Sequence, residues 1–342
     1  MPKITMKQIA DKAGVSLSTV SRVINNKGEV TEEMRTLVLH SMEELGYTPS
    51  HNAKKITSHS SSVPIKIGVL VTDIQNSSMG RLLSGIFSVT DNYDVEILVR
   101  EYKFQDAKQR KSLEMFLRAN VDGIISVDID DAKLIPFYKQ IVGQKLPLVI
   151  VSNTKTNIEH DGISVICNDT AEGAKTGYRY LQSLGHNRIL LLGVPGDKKR
   201  FRYRVLAIKQ ELELTNQRLD ESCLVDCENS YQGAYMAIDR LCKDGGFDYT
   251  AIFAMSDTMA YGAEEALRKN SMTVGKDVSV LGYDDLSSAE YMGLSSIAEP
   301  MFALGTNAAY MTMDLINRIN TEPRRTVLQD SLQIRRSCQR RK

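Results

Sequence analysis

From Ile65 onward the chain alternates short apolar runs with helical patterns, and this alternation restricts the possible folds more than any other feature of the sequence. Runs rich in Val, Ile and Leu, too short for buried helices, read as strands at 65–71, 95–99, 123–127, 148–152, 164–167, 189–193, 224–226, 251–254 and 278–283. Between them, 106–119, 171–184, 203–214 and 259–269 carry apolar residues at three-and-four spacing, the helical period. Such alternation closes into a parallel sheet with helices on both faces, because each crossover returns over the sheet it left. Nine strands exceed one comfortable doubly wound sheet, so two α/β lobes are expected. Ligands in these sheets bind beyond the carboxyl ends of the strands. That rule points to Thr72, Asp73 and Gln75 after the first strand, Ser152 and Asn153 after the fourth, and Asp257 and Asp284 after later ones.

Before Ile65 the pattern is purely helical. In residues 5–26, TMKQIADKAGVSLSTVSRVINN, the apolar Met6, Ile9, Ala10, Ala13, Val15, Val20, Val23 and Ile24 give two short helices one buried face each, with Gly14 between them. Thr5 followed by Gln8 is a capping-box start, and Ser16 can cap the second helix. This is a helix-turn-helix pattern, whose second helix, about 17–25, would lie in a DNA major groove and expose Leu17, Ser18, Ser21 and Arg22. The apolar pattern alone fits a helical hairpin in a core better than it fits DNA binding. Thr31, with Glu32 and Glu33 in the first turn, starts a third helix whose core face is Met34, Leu37, Val38, Met42 and Leu45.

The ordered run ADKAGVSLSTVSRVIN at 10–25 resembles the headpiece of the lactose-repressor/galactose-repressor family of bacterial transcription regulators. IGVLVTDI at 67–74, VDGII at 121–125, SLGHNRI at 183–189, AMSDTMAYGA at 254–263 and VLGYDD at 280–285 are similar to the family's effector domain, which has a periplasmic-binding-protein-like fold. The resemblance implies a DNA-binding headpiece at 1–48, a hinge helix and linker at 49–63, and a two-lobed effector and dimerisation domain at 64–340. If the family topology holds, the chain crosses between lobes three times, giving a first lobe of about 64–160 and 290–320 and a second of 161–289 and 321–340. It further implies DNA contacts from Thr5, Leu17, Ser18, Ser21, Arg22 and Asn25. In the hinge, Lys54 and Lys55 would face phosphates and Ile56 would stand where a minor-groove leucine wedge is usual.

For the effector, the resemblance carries over Arg204 in RYRVLA and Asp257 in MSDTMA as a base and an acid that grip hydroxyls, with Thr72, Asp73, Ser152, Arg200 and Asp284 around them. Asp257 can also be read as a plain helix N-cap. Two departures remove the expected aromatic stacking surface: DIQNSSM at 73–79 lacks an aromatic pair, and Ala207 and Ile208 replace a glycine-aromatic pair. Tyr231 or Tyr283 could supply a substitute. Lys198, Lys199, Arg200, Arg202 and Arg204 follow a strand and open a helix, which suits either a phosphorylated sugar or a solvated charged face.

Charge and composition exclude other classes. Lys and Arg number 43 against 42 Asp and Glu, and the headpiece is balanced as well, so DNA affinity has to come from the placement of charge and not its total. Five scattered cysteines suit reduced thiols, and neither they nor the five histidines have metal-ligand spacing, so no metal and no cofactor are expected. GVPGDKKR at 193–200 lacks the spacing of a phosphate-binding loop, and adjacent Asp284 and Asp285 make a poor acid/base pair if they point to opposite faces of a strand, which argues against an enzyme. No apolar run is long enough to span a membrane and the start has no signal-peptide core, so a cytoplasmic protein is expected. The expectation is a sugar- or sugar-phosphate-controlled repressor of carbohydrate genes, a homodimer on a pseudo-palindromic double-stranded operator. A carbohydrate-binding activator and a sugar-modifying enzyme are the alternatives.

Overall fold

The computed structural model describes residues 6–16, 19, 20, 34, 37, 38, 41, 64–127, 134–152, 162–193 and 199–341. The chain divides into two compact units, 1–62 and 63–342.

In the first unit, α1 (Met6–Ala13) ends at Gly14, whose φ of +65° is a left-handed stop that glycine adopts without cost. The Val15 amide closes back onto the Ala10 carbonyl at 3.1 Å. Ser16 then caps the next helical turn as expected, its Oγ accepting from the Thr19 amide at 3.1 Å. Ala10, Val20 and Val38 are buried here, with Ser41. Met34 and Leu37, expected on the core face of the third helix, are 44% and 51% exposed. The expected DNA contacts Thr5, Leu17, Ser18, Ser21, Arg22, Asn25, Lys54, Lys55 and Ile56 lie outside the described residues.

The second unit is two α/β lobes. Lobe 1 holds β1 (Ile65–Val71), β2 (Val95–Glu101), β3 (Gly123–Val127), β4 (Leu148–Ser152), β5 (Ser164–Asn168) and β11 (Arg325–Leu328) in the order β11-β5-β4-β3-β1-β2, all pairs parallel. Its helices are α2 (Ser77–Thr90), α3 (Asp106–Arg118), α4 (Ile135–Gly143) and α10 (Met301–Ile316). Lobe 2 holds β6 (Ile189–Leu192), β7 (Leu224–Val225), β8 (Ala251–Ala254), β9 (Ser279–Asp284), β10 (Ser295–Ala298) and β12 (Ser331–Gln333) in the order β12-β10-β9-β8-β6-β7, with β12 antiparallel to β10. Its helices are α5 (Thr170–Ser183), α6 (Lys199–Leu214), α7 (Tyr231–Lys243), α8 (Asp257–Lys269) and α9 (Ser287–Met292). The strands β3, β4, β5, β6, β8 and β9 are buried at every residue, which is why they read as unbroken apolar runs.

The lobes repeat one plan. In each, the first strand lies between the second and the third, so the crossover direction reverses at β1/β3 and at β6/β8. In lobe 1, α2 and α10 cover one face around Leu82, Ile86, Leu304 and Ala308, and α3 and α4 cover the other around Phe116 and Tyr138. Helices α2 and α10 meet at Gly85 and Gly305, where a Cβ would collide with the backbone of Phe302 or Leu82. Only glycine permits that approach.

The three crossings occur, but later than expected. β5 pairs with β4, β10 with β9 and β11 with β5, so residues 162–168 and 321–328 belong to lobe 1 and 290–298 to lobe 2. The crossings fall after Asn168, Ala298 and Leu328. The reason is that each lobe keeps a fifth strand before the chain leaves it, and the strands that reveal this, SSIA and RTVL, are too short and polar to show a period of their own.

Candidate functional site

The carboxyl ends of both sheets and the three crossings bring the polar side chains of the second unit together. Asp257 is the first residue of α8, and the helix is capped by its neighbour, Ser256, which accepts from the Met259 amide at 3.4 Å. The N-cap alternative for Asp257 is therefore not what the fold uses. Its carboxylate turns inward, Oδ1 accepting from Ser296 Oγ at 2.6 Å and Oδ2 from the Leu286 amide at 2.7 Å. Asp257 is completely buried; desolvation, with Asp284 nearby, pushes its carboxyl up to about 8 against the two hydrogen bonds that favour the charged form.

Arg204, on α6, is also completely buried. Its Nε donates to Thr170 Oγ1 at 2.8 Å, Nη1 to the Met255 carbonyl at 2.8 Å and Nη2 to Glu299 Oε1 at 3.0 Å. The guanidinium lies 3.3 Å from the centroid of the Tyr283 ring. Burial opposes its charge, but Tyr283, Glu299, Asp284 and Asp330 outweigh that and raise its pKa. Tyr283 thus has one ring face taken by the arginine and is itself buried, so it offers no stacking surface to a sugar, whereas Tyr231 at the start of α7 is 42% exposed. Lobe 1 reaches across through Arg81 on α2, which donates to the carbonyls of Asp285 at 3.1 Å and Asp284 at 2.6 Å. Those carbonyls are presented by left-handed backbone, φ 103° at Asp284 and 49° at Asp285, so the two aspartates do not alternate across a strand as expected.

Among the remaining expected effector residues, Thr72 and Ser152 are buried at the ends of β1 and β4, Asp73 is half-buried with Oδ1 accepting from the Gln75 amide at 3.0 Å, and Asp284 is buried at the end of β9. Each of Thr72, Asp73, Ser152, Asp257 and Asp284 thus lies at or just beyond the carboxyl end of a strand. Arg200 lies in the first turn of α6, while Lys198 and the side chains of Lys199, Arg200 and Arg202 lie outside what is described. Sequence reasoning missed Arg81, Glu299, Asp330, Asn168 and Thr170, whose roles depend on which crossing passes where. Among the described residues no His, Cys, Asp or Glu group could hold a metal ion, and no helix is long and apolar enough to cross a membrane.

Comparison with known proteins fits this arrangement. Residues 5–50 match the model of bacterial regulatory proteins of the lacI family, and 178–338 match a periplasmic binding protein-like domain. The HTH-type transcriptional regulator DegA of Bacillus subtilis is 28% identical over 306 residues, 89% of this chain and 88% of that protein. The ribose operon repressor of Haemophilus influenzae is 28% identical over 336 residues, 97% of this chain and 98% of that protein. In fold, the chain is similar to the lac repressor dimer bound to operator and an anti-inducer, with TM-score 0.69, 24% identity and coverage of 99% of this chain and 100% of that one.

Proposed function

The chain belongs to the lacI family of bacterial regulatory proteins, and we propose that it is a sequence-specific repressor of carbohydrate genes controlled by a sugar or sugar phosphate bound between its lobes. The observation that carries this reading is the joining, in one chain, of a helix-turn-helix match at 5–50 to two parallel-sheet lobes whose strand ends gather polar groups. Relatives of nearly the same length are transcription regulators, among them a ribose operon repressor, and a structure of similar fold is a regulator in complex with cellobiose. An enzyme does not explain the pairing as simply; an activator would share it, and repression is favoured because the relatives include a ribose operon repressor.

DNA contacts are assigned to Thr5, Leu17, Ser18, Ser21, Arg22 and Asn25, with Lys54, Lys55 and Ile56 in the hinge. Two copies of the chain on a pseudo-palindromic site, in the cytoplasm, complete the assembly. Thr72, Asp73, Ser152, Arg200, Arg204, Asp257 and Asp284 are the proposed effector contacts, and Arg204 and Asp257 also brace the Tyr283 ring and the Leu286 amide. Linkage then follows: an effector that favours a lobe arrangement unable to place both headpieces weakens DNA binding by the factor by which DNA weakens effector binding.

A thermal-shift screen of sugars and sugar phosphates, followed by calorimetry and retardation of operator DNA, tests the reading. Turnover of a sugar together with no retardation of any DNA fragment would reject it. Within it, Arg22→Ala should cost ~1–3 kcal/mol of operator affinity and relax one base pair per half-site. An unchanged binding-site preference removes Arg22 as a base reader.

A further inference from the structure

Away from the three crossings, Arg81 of lobe 1 holds lobe 2. It stands early in α2, where Asn76 caps the helix by accepting from the Ser78 amide at 2.9 Å and Leu82, the next residue, is fully buried. Helix α2 is seated on α10 at Gly85, where a Cβ would collide with the Phe302 carbonyl. The base of the Arg81 side chain is therefore fixed to lobe 1.

The corner that receives it is as firmly part of lobe 2. The Asp285 amide donates to Ser296 Oγ at 3.1 Å, the Leu286 amide to Asp257 Oδ2 at 2.7 Å, and Asp285 Oδ1 accepts from Arg335 Nη1 at 2.7 Å. None of these bonds involves lobe 1, so the corner keeps them when the lobes part. In an extended strand successive carbonyls point to opposite sides. The positive φ of Asp284 and Asp285 breaks that alternation, and both carbonyls accept from one guanidinium, Asp284 from Nη2 at 2.6 Å and Asp285 from Nη1 at 3.1 Å.

We propose that Arg81 is a latch across the cleft, whose planar fork docks on a carbonyl pair that lobe 2 presents ready-made and so holds the lobes together without an effector. A carbonyl pair suits a guanidinium, which offers donors side by side in one plane, and not an ammonium, whose donors radiate from a single point. Because the helix on one side and the corner on the other are already in place, docking orders little besides one side chain. Every group in the latch belongs to the chain, so it goes beyond effector or operator recognition and stands whether or not the effector is a sugar. A ligand that binds the closed lobes works with the latch, and one that binds the parted lobes works against it.

Energy transfer between the two lobes tests the latch. The edge strands β2 and β7 stand opposite the strands at the crossings, and Lys108 and Gln232 are exposed in the helices that follow them, so these two positions separate as the lobes part. Donor and acceptor dyes are attached to unnatural ketone residues there, in full chains diluted into excess unlabelled chain, with neither DNA nor sugar present. The otherwise unmodified chain should give one short distance. Arg81→Ala should lengthen it, the ratio of closed to parted lobes falling by roughly tenfold or more, the contribution of a hydrogen bond to a charged group. Arg81→Lys keeps the charge but cannot span both carbonyls, and should fall between the two. Circular dichroism checks that each variant is folded. A long distance in the unmodified chain, a distance that Arg81→Ala leaves unchanged, or lysine closing the lobes as well as arginine overturns the proposal. Since neither sugar nor operator takes part, that failure leaves the repressor reading intact, and a failed sugar or operator assay leaves the latch intact.

Discussion

The two lobes share a strand order yet furnish their buried strand ends differently. Lobe 1 buries neutral groups at or next to its strand ends, Thr72, Ser126, Ser152 and Asn168, while its carboxylates there, Asp73 and Glu101, stay partly exposed, and it covers its sheet with two separate apolar layers. Lobe 2 ends its strands in Asp257, Tyr283 and Asp284 beneath the buried Arg204, and the carboxyls that burial drives upward, Asp257 to about 8, Glu264 to about 7 and Asp330 at its edge, all belong to it or to its crossing. The same backbone plan thus buries neutral groups at the strand ends of one lobe and titratable ones at those of the other. The shape of the cleft follows from both lobes; its response to charge and pH follows from the second.

The sharpest break in this comparison is Arg204→Ala. It strips Glu299 of its guanidinium while both are buried, and breaking one side of such a pair costs ~3–5 kcal/mol. Denaturant unfolding followed in both lobes should show the loss; a change below 1 kcal/mol, an order-of-magnitude bound for a pair left in water, would mean the cluster is wet.

Helix contact offers a test in the neutral lobe. Gly305→Ala would press a methyl against the Leu82 carbonyl, and overpacking of this kind costs ~1–3 kcal/mol with no dependence on pH. If the penalty varies between pH 5 and 8, the lobes are not electrostatically distinct.

Asp257 provides the reverse case. Its folded pKa of about 8 lies above the ~3.9 of an unfolded aspartate, so folding takes up a proton between those values. The stabilisation is complete below the unfolded value and is lost as pH rises through the folded one. Stability should therefore fall with a slope of up to ~1.4 kcal/mol per pH unit for each proton taken up, with Glu264 adding to it up to about 7. Asp257→Asn should flatten the upper part of the curve, and a slope unchanged by it would assign the proton elsewhere. The smallest effect is expected from Ser152→Ala in lobe 1, about 1 kcal/mol and the same at every pH, because one neutral hydroxyl is removed.

Local chemistry made much of the fold legible. Nine strand segments and four helices could be placed because buried parallel strands are continuous apolar runs and surface helices carry a stripe at their own period. Gly14 and Ser16 announced a helix stop and a cap because those residues act on the backbone within one turn. The two lobes followed from spacing and from topology rules that need no distant partner, whereas the helix-turn-helix rested on the ordered run at 10–25 and its family resemblance.

What the sequence could not decide was membership and partnership. β10, β11 and β12 are four, four and three residues long, and their lobe is set by which sheet edge stands open when the chain arrives. Arg204 reads as a ligand contact in its motif, but its charge is met by Glu299, 95 residues away, and its face by Tyr283. Asp257 reads as a cap or a contact, and a serine 39 residues on makes it a buried acceptor. Periodicity and capping are written within a few residues of where they act, so one chain determines them alone. The charge state of a buried group depends on neighbours that only the closed fold brings within a few ångströms, and there the tertiary structure decided.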